Sequence, residues 1–255
     1  MTAAPTLTAL DAFWAAELGC ARADLHRPGT VVVARDGRSG QGYDGLRLFR
    51  RGQTCLVSAP PELATQTGQA FGGHPPADVF DPAALRAALG AAAGAVVGPA
   101  AISVCDATDF RPVATGGVRR LDLRPGGRDG AALERLRAAC PAEQWTASGL
   151  DAVAGPVVVF GHFAAGALTG AGKLQPVGEA LYHVGILTDP AQRGRGVGRA
   201  VVSAMTAHGL RAGRAMLYQT LLANAPAVAV ARGLGYRPYA RTLAVPGRRY
   251  TAPAA

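Results

Sequence analysis

Lysine is almost absent from this chain of 255 residues: of its 26 basic side chains only Lys173 is lysine, and the rest are arginine. That scarcity removes the phosphate loop that ends in Gly-Lys-Ser/Thr, because Lys173 is followed by Leu174. Aromatic residues are also scarce, at 6%, and they do not interleave with the arginines as a stacking surface for nucleic acid requires. Charged residues amount to 17% against 49% hydrophobic, a composition that excludes a disordered chain. The four cysteines, Cys20, Cys55, Cys105 and Cys140, form no Cys-x-x-Cys pair and have no histidine cluster nearby. No metal site is expected, and reduced thiols in a cytoplasmic protein are the default. Long apolar runs are missing too. The longest, residues 91–104, is broken by Gly94, Gly98 and Pro99, too short to span a bilayer. The first residues lack a basic region and Asp11 interrupts their apolar stretch, so no targeting signal and no membrane partner are expected.

What is present is a basic excess, a net charge of +9. The arginines are scattered along the chain rather than gathered, so a polyanionic small ligand accounts for the charge better than nucleic acid does. Residues 182–200 say where that ligand sits. An apolar run, Val184 to Leu187, predicts a buried strand; Asp189-Pro190 predicts a turn; then Arg193-Gly194-Arg195-Gly196-Val197-Gly198 leads straight into a helical pattern. A strand, a glycine-rich loop and a helix start make an anion site, because unpaired backbone N–H groups point one way at the positive end of the helix dipole. A dinucleotide fingerprint, Gly-x-Gly-x-x-Gly, does not fit: its third glycine falls on Arg199 or Val201. The pattern Arg/Gln-x-x-Gly-x-Gly/Ala does fit, at Arg193, Gly196 and Gly198.

A second block, residues 224–236, reads Asn-Ala-Pro-Ala-Val-Ala-Val-Ala-Arg-Gly-Leu-Gly-Tyr. Asn224 predicts an N-cap, Pro226 suits the first turn and Gly235 suits the end. Between the two blocks, Val197, Val201, Ala204, Met205 and His208 recur at helical spacing, and residues 216–222 predict a strand. His208 on that face is expected at the edge of the core, not as a catalyst. On these two blocks the chain resembles the GNAT superfamily of acyl-CoA-dependent N-acetyltransferases, over roughly residues 117–246. The resemblance implies a mixed, mostly antiparallel α/β (α+β) sheet flanked by helices, with acetyl-CoA as acyl donor. It implies that Ile186, Leu187 and Thr188 lie along the pantetheine arm. Arg193, Gly194, Arg195, Gly196, Val197, Gly198 and Arg199 are implied to hold the phosphates, and Asn224 is implied to be a further cofactor-binding residue.

Residues 117–255 are therefore expected to form the transferase domain, with strands at 119–123, 156–163, 165–177 and 181–187 and a helix at 129–140. Residues 1–115 are expected to form a second α/β unit without a cofactor loop: helices at 9–18, 61–71 and 83–92, and strands at 30–34, 45–49, 54–58 and 100–105. It is readable as a degenerate copy of the same fold, though no sequence repeat establishes that. The boundary is expected at 115–117.

In the implied reaction an amine, on a small molecule or a protein, attacks the thioester within a ternary complex. A base must take its proton, and a backbone N–H near Leu187 would steady the oxyanion. His183, Glu143 in the loop at 141–145, and a water chain are the candidate bases. The tyrosine that many members carry on the short helix after the asparagine is missing, since Val230 and Ala231 stand there; Tyr236 or Tyr239 is the candidate proton donor. A non-catalytic acyl-CoA-binding or regulatory module is the alternative. The acceptor and the oligomeric state are not legible.

Overall fold

The computed structural model describes residues 2–36, 45–90, 95–151 and 157–246. In chain order its elements are α1 (Ala4–Leu18), β1 (Gly29–Ala34), β2 (Leu46–Arg51), β3 (Thr54–Ala59), α2 (Pro61–Phe71), α3 (Pro76–Val79), α4 (Pro82–Leu89), β4 (Val97–Cys105), β5 (Val118–Arg120), α5 (Gly130–Ala139) and α6 (Ala142–Ser148). They continue with β6 (Val158–Ala164), β7 (Ala167–Val177), β8 (Leu181–Thr188), α7 (Val197–Arg211), β9 (Ala215–Leu221), α8 (Ala225–Gly233) and β10 (Arg237–Val245). Residues 91–94 of the apolar run, the end of the helix expected at 83–92 and the start of the strand expected at 156–163 lie outside the described residues.

Ten strands form one sheet in the order β1-β3-β2-β10-β4-β9-β8-β7-β6-β5. The β1–β3 and β8–β9 pairs are parallel and the other pairings are antiparallel. This is the mixed, mostly antiparallel α/β sheet that the sequence predicts. It is continuous across residues 115–117: the C-terminal strand β10 lies between β2 and β4, and β4 lies between β10 and β9.

Side-chain alternation along the strands sorts the helices between two faces. On the first face α1 packs over Phe49, Ile102, Val104, Leu181 and Leu217, while α5 and α6 cover Val159, Ala171 and Leu187. On the second, α2, α3 and α4 cover Leu48, Val57 and Leu243, while α7 and α8 cover Leu174, Val184, Met216 and Tyr218. Between β4 and β5 the chain crosses the sheet outside α7 and α8. Arg111 N donates to Leu234 O at 2.9 Å, and Val113 N donates to Ser203 Oγ at 3.1 Å.

Three local expectations are corrected. The first helix begins at Ala4, not at residue 9, because Pro5 opens it with a preset φ. The strand expected at 119–123 is only β5; Leu121 leaves the strand yet still donates its N–H to Val159 O at 2.9 Å. Residues 141–145 are not a loop: Glu143 lies on the first turn of α6, which Pro141 starts and Gly149, at φ 68°, stops. A helix of seven residues shows too little periodicity to read, and it is held by burial of Trp145 against the cluster around Leu187.

A carboxylate just before α5 ties the helix start to the end of β5 without capping the helix. Asp129, nearly buried, takes a two-pronged bond from Arg119 at 2.7 and 2.6 Å and a third from Asp122 N at 2.8 Å. The Arg119 hydrogen bonds hold its pKa down to about 2. A folded pKa below the unfolded value means stabilisation that is full above the ordinary carboxylate range and is lost as pH falls toward 2. Asp129→Asn is expected to cost about 2–3 kcal/mol in urea unfolding at neutral pH, and the deficit should shrink on acidification.

Candidate acyl-CoA site

The sheet is open at one place. Strands β8 and β9 pair in parallel only at Leu181↔Ala215, Tyr182↔Met216 and His183↔Leu217, and then separate. On its other edge β8 stays paired with β7 as far as Thr188. Asp189 N donates to Thr169 O at 3.0 Å in the same register, so odd-numbered residues of β8 bond to β7. The even-numbered peptide groups, those of Ile186 and Thr188, are aimed at the gap that β9 has left. The segment implied to meet the pantetheine therefore turns this edge toward the gap, where Thr188 O accepts from Arg193 Nε at 3.4 Å.

The anion loop sits at the top of this gap. Asp189 caps the turn at Pro190–Gln192 by accepting from Ala191 N at 2.9 Å. Gly194 and Gly196 have φ of 75° and 81°, and a Cβ built on either meets nothing within 4 Å. The concave side of the loop is bare backbone. Gly196 is the N-cap of α7 and makes no side-chain cap bond; the first N–H of the helix directed to it is that of Ala200, donating to Gly196 O at 3.0 Å. The N–H groups of Val197, Gly198 and Arg199 thus remain for a ligand. Gly198 brings the helix start against β8, with Thr188 Oγ1 only 3.2 Å from where its Cβ would be.

The three arginines are engaged within the protein. Arg193 donates to Gln144 Oε1 of α6 and to Thr188 O, Arg195 to Gln192 Oε1 at 3.3 Å, and Arg199 to Gly233 O at 3.2 Å. These contacts tie the guanidinium groups to the loop and its neighbours and use only part of their N–H donors. Asn224 caps α8, its Oδ1 accepting from Ala227 N at 3.2 Å. The helix end is set by Gly235, at φ 90°, whose Cβ would lie 1.9 Å from Asp109 O.

The candidate proton-transfer groups fall in different places. His183 and Tyr182 point to opposite faces: Tyr182 joins the α7 cluster, with Arg214 over its ring, and His183 lies half-buried on the α6 face. Burial, reinforced by Lys173, pushes His183 down to about 4. Gln219, exposed on β9, faces the same side just beyond the point where the strands part. Glu143 is exposed on α6. Tyr236 is 5% exposed, with its hydroxyl on Thr206 Oγ1 at 2.7 Å and its ring against Tyr218; burial raises it far above the ordinary range. Tyr239 bonds Asp11 of α1, three strands from β8 in the sheet order. His208 stacks edge-on against Phe160 at the core margin.

Sequence reasoning missed Lys173. It is 4% exposed on β7, and its Cε and Nζ lie 2.9 Å from where a Cβ on Gly149 would be, at the C-terminal end of α6. A lone lysine inside an apolar strand is a legible signal, but only the fold puts it beside His183. Among the described residues no three His, Cys, Asp or Glu side chains gather as a metal site, and no helix is long and apolar enough to cross a membrane.

Comparison with known proteins gives a family similarity for part of the chain. No curated protein matches the chain. Among solved structures, a GNAT-family protein from Novosphingobium aromaticivorans is 20% identical at a TM-score of 0.46, over 61% of this chain and 66% of that one. A GNAT acetyltransferase from Colwellia psychrerythraea is 15% identical at 0.47, over 64% and 61%. The protein yncA of Salmonella typhimurium, solved with its cofactor acetyl-CoA, is 16% identical at 0.37, over 54% and 97%. This chain spans less than two thirds of the length of the first two. The model of the acetyltransferase (GNAT) family matches residues 131–236, the segment from α5 to the start of β10 that contains the open strand edge, the glycine loop and the Asn224 cap. By this match, residues 131–236 of this chain are similar to the acetyltransferase (GNAT) family.

Proposed function

We propose that this chain transfers the acetyl group of acetyl-CoA directly to an amine. The observation that carries the reading is the parting of β8 from β9 directly below a helix start whose first N–H groups have no partner among the described residues. The bare loop at Gly194 and Gly196 fits a pyrophosphate, because no side chain obstructs it. When bound, acetyl-CoA supplies an acetyl thioester activated toward nucleophiles. The peptide edge at Ile186 and Thr188, flanking Leu187, would hold the pantetheine amides and offer an N–H to the oxyanion. The acceptor amine must arrive neutral, its proton passing to His183, to Glu143 or to water. The amine nitrogen then bonds to the thioester carbon, the C–S bond breaks, and the coenzyme leaves as its thiolate.

Calorimetry with acetyl-CoA tests donor binding, and thiol release across amino acids, polyamines, aminoglycosides and peptides tests turnover. Absence of binding would remove the reading. Binding with silence across the amines would favour the alternative, a non-catalytic acyl-CoA-binding module. That alternative draws on the lack of any hydroxyl on α8 and the engagement of Tyr236 with Thr206. If His183 is the base, its low pKa puts the acid limb of kcat/KM near pH 4 instead of near 6.5. His183→Asn should then abolish that limb, and an unchanged limb would eliminate His183.

A further inference from the structure

The one lysine of the chain lies where a charge is costly. Lys173 belongs to the buried run Leu168–Leu174 of β7, and an ammonium is expensive to take out of water. The register sets Lys173 opposite Gly185 and Gln175 opposite His183. Residues displaced by two across an antiparallel pair share a face and stay within reach of a long side chain, so Lys173, Gly185 and His183 form one patch on the first face. Gly185 leaves room there, and the end of α6 fills it: a Cβ on Gly185 would collide with Ser148 O and stand 3.4 Å from Lys173 Cγ. The lysine stem passes Gly185, and its Cε and Nζ end against Gly149, the residue that stops α6. Burial lowers the Lys173 pKa, and Asp151 opposes that shift. The other charged groups of the neighbouring elements are engaged or exposed. On α1, Asp11 binds Arg51 and His26, and Glu17 binds Arg47. Glu143 of α6 and Asp151 are exposed, and β9 brings only Leu217 and Gln219 to this face.

We propose that Lys173 is a positioning residue for the acceptor side of the gap: it pins the end of α6 on β8 and sets a buried positive charge beside His183. A cation next to an imidazole disfavours a second positive charge. His183 is lowered by burial first and by Lys173 second, and it keeps a lone pair where β8 and β9 part. The same charge disfavours an ammonium at that spot, so an amine held there is held neutral, as attack on a thioester requires. The use of this arrangement in catalysis rests on the acetyl-transfer reading. The coupling of the two side chains does not, and it is measured without acetyl-CoA.

The test is an NMR titration of the full chain. Lysine labelled with 13C at Cε gives a single resonance, because the chain has a single lysine; the His183 ring signal is the one lost in His183→Asn. In the native chain His183 is expected to titrate near pH 4, and the Lys173 resonance to bend at the same pH, a bend that His183→Asn removes. Lys173→Met should raise the proton affinity of His183 at least threefold, and Lys173→Arg, which keeps the charge, should restore it. A lysine that serves only to pin α6 would cost stability in Lys173→Met and leave the His183 titration where it was. That result, or a Lys173 resonance that ignores His183, would overturn the proposal. If Lys173→Met does not fold, the bend in the native chain and its loss in His183→Asn decide. A chain that shows the coupling but binds no acetyl-CoA would lose the proposed function and keep the charge pair.

Discussion

Gly196→Glu is expected to weaken acetyl-CoA binding at least tenfold, a loss of about 1.4 kcal/mol or more, in a protein that still folds. Gly196 combines three properties that make it the most sensitive position for the donor. It is the N-cap of α7, it has φ 81°, and it faces open space. A glutamate there meets no steric barrier, so the core is untouched. Its carboxylate lies where the helix dipole and the N–H groups of Val197, Gly198 and Arg199 converge, and it competes with a phosphate for the same donors. The left-handed backbone costs a non-glycine residue about 1–2 kcal/mol of stability, and Gly196→Ala measures that strain by itself. Calorimetry on the three proteins, with thermal unfolding alongside, separates charge from strain. Equal acetyl-CoA affinity in wild type and Gly196→Glu would sink the assignment of the loop.

Gly235→Ala should do the reverse, removing stability before it affects any ligand. The backbone at Gly235 is also left-handed, with φ 90°, but a Cβ there would stand 1.9 Å from Asp109 O and 2.9 Å from its carbonyl carbon. Both are main-chain atoms in the segment crossing α7 and α8, and they cannot swing aside as a flexible side chain would. Asp109 is further held by Arg237 and Thr2, and Arg111 N by Leu234 O. Relief of the collision has to move the crossing segment or the start of β10. The expected loss is about 2–5 kcal/mol, the sum of left-handed strain and overpacking. Gly196→Ala, with similar φ and no neighbour, is the control; urea unfolding of the two variants isolates the collision. A Gly235→Ala variant no less stable than Gly196→Ala would contradict the close approach.

These two glycines mark how far the sequence could be read. At Gly196 the structure is local: a strand, a loop and a helix start are adjacent in the chain, so the left-handed N-cap of α7 was visible from their order. The N-cap at Asn224 was visible for the same reason. At Gly235 the sequence offered a helix end, which is correct, but the stringency comes from Asp109, a residue far away in the chain. The helix α6 escaped notice because its seven residues carry almost no periodic signal, and Glu143 was therefore assigned to a loop. The tyrosines illustrate the same limit from the other side. Tyr236 and Tyr239 were chemically eligible donors, yet packing commits one hydroxyl to Thr206 and the other to Asp11.

By itself the sequence determined the class of the fold, the strand–glycine loop–helix order and the family resemblance, because each depends on residues within about one strand and one helix of each other. The tertiary structure alone decided that β10 and β4 interleave the two halves into one sheet. It alone parts β8 from β9 below the loop, places Lys173 beside His183, and sets the end of α6 on Gly185. Those features depend on which strands find each other across long chain separations. Strand pairing is a competition among burial, register and loop closure over the entire chain, and no local run of residues records its outcome.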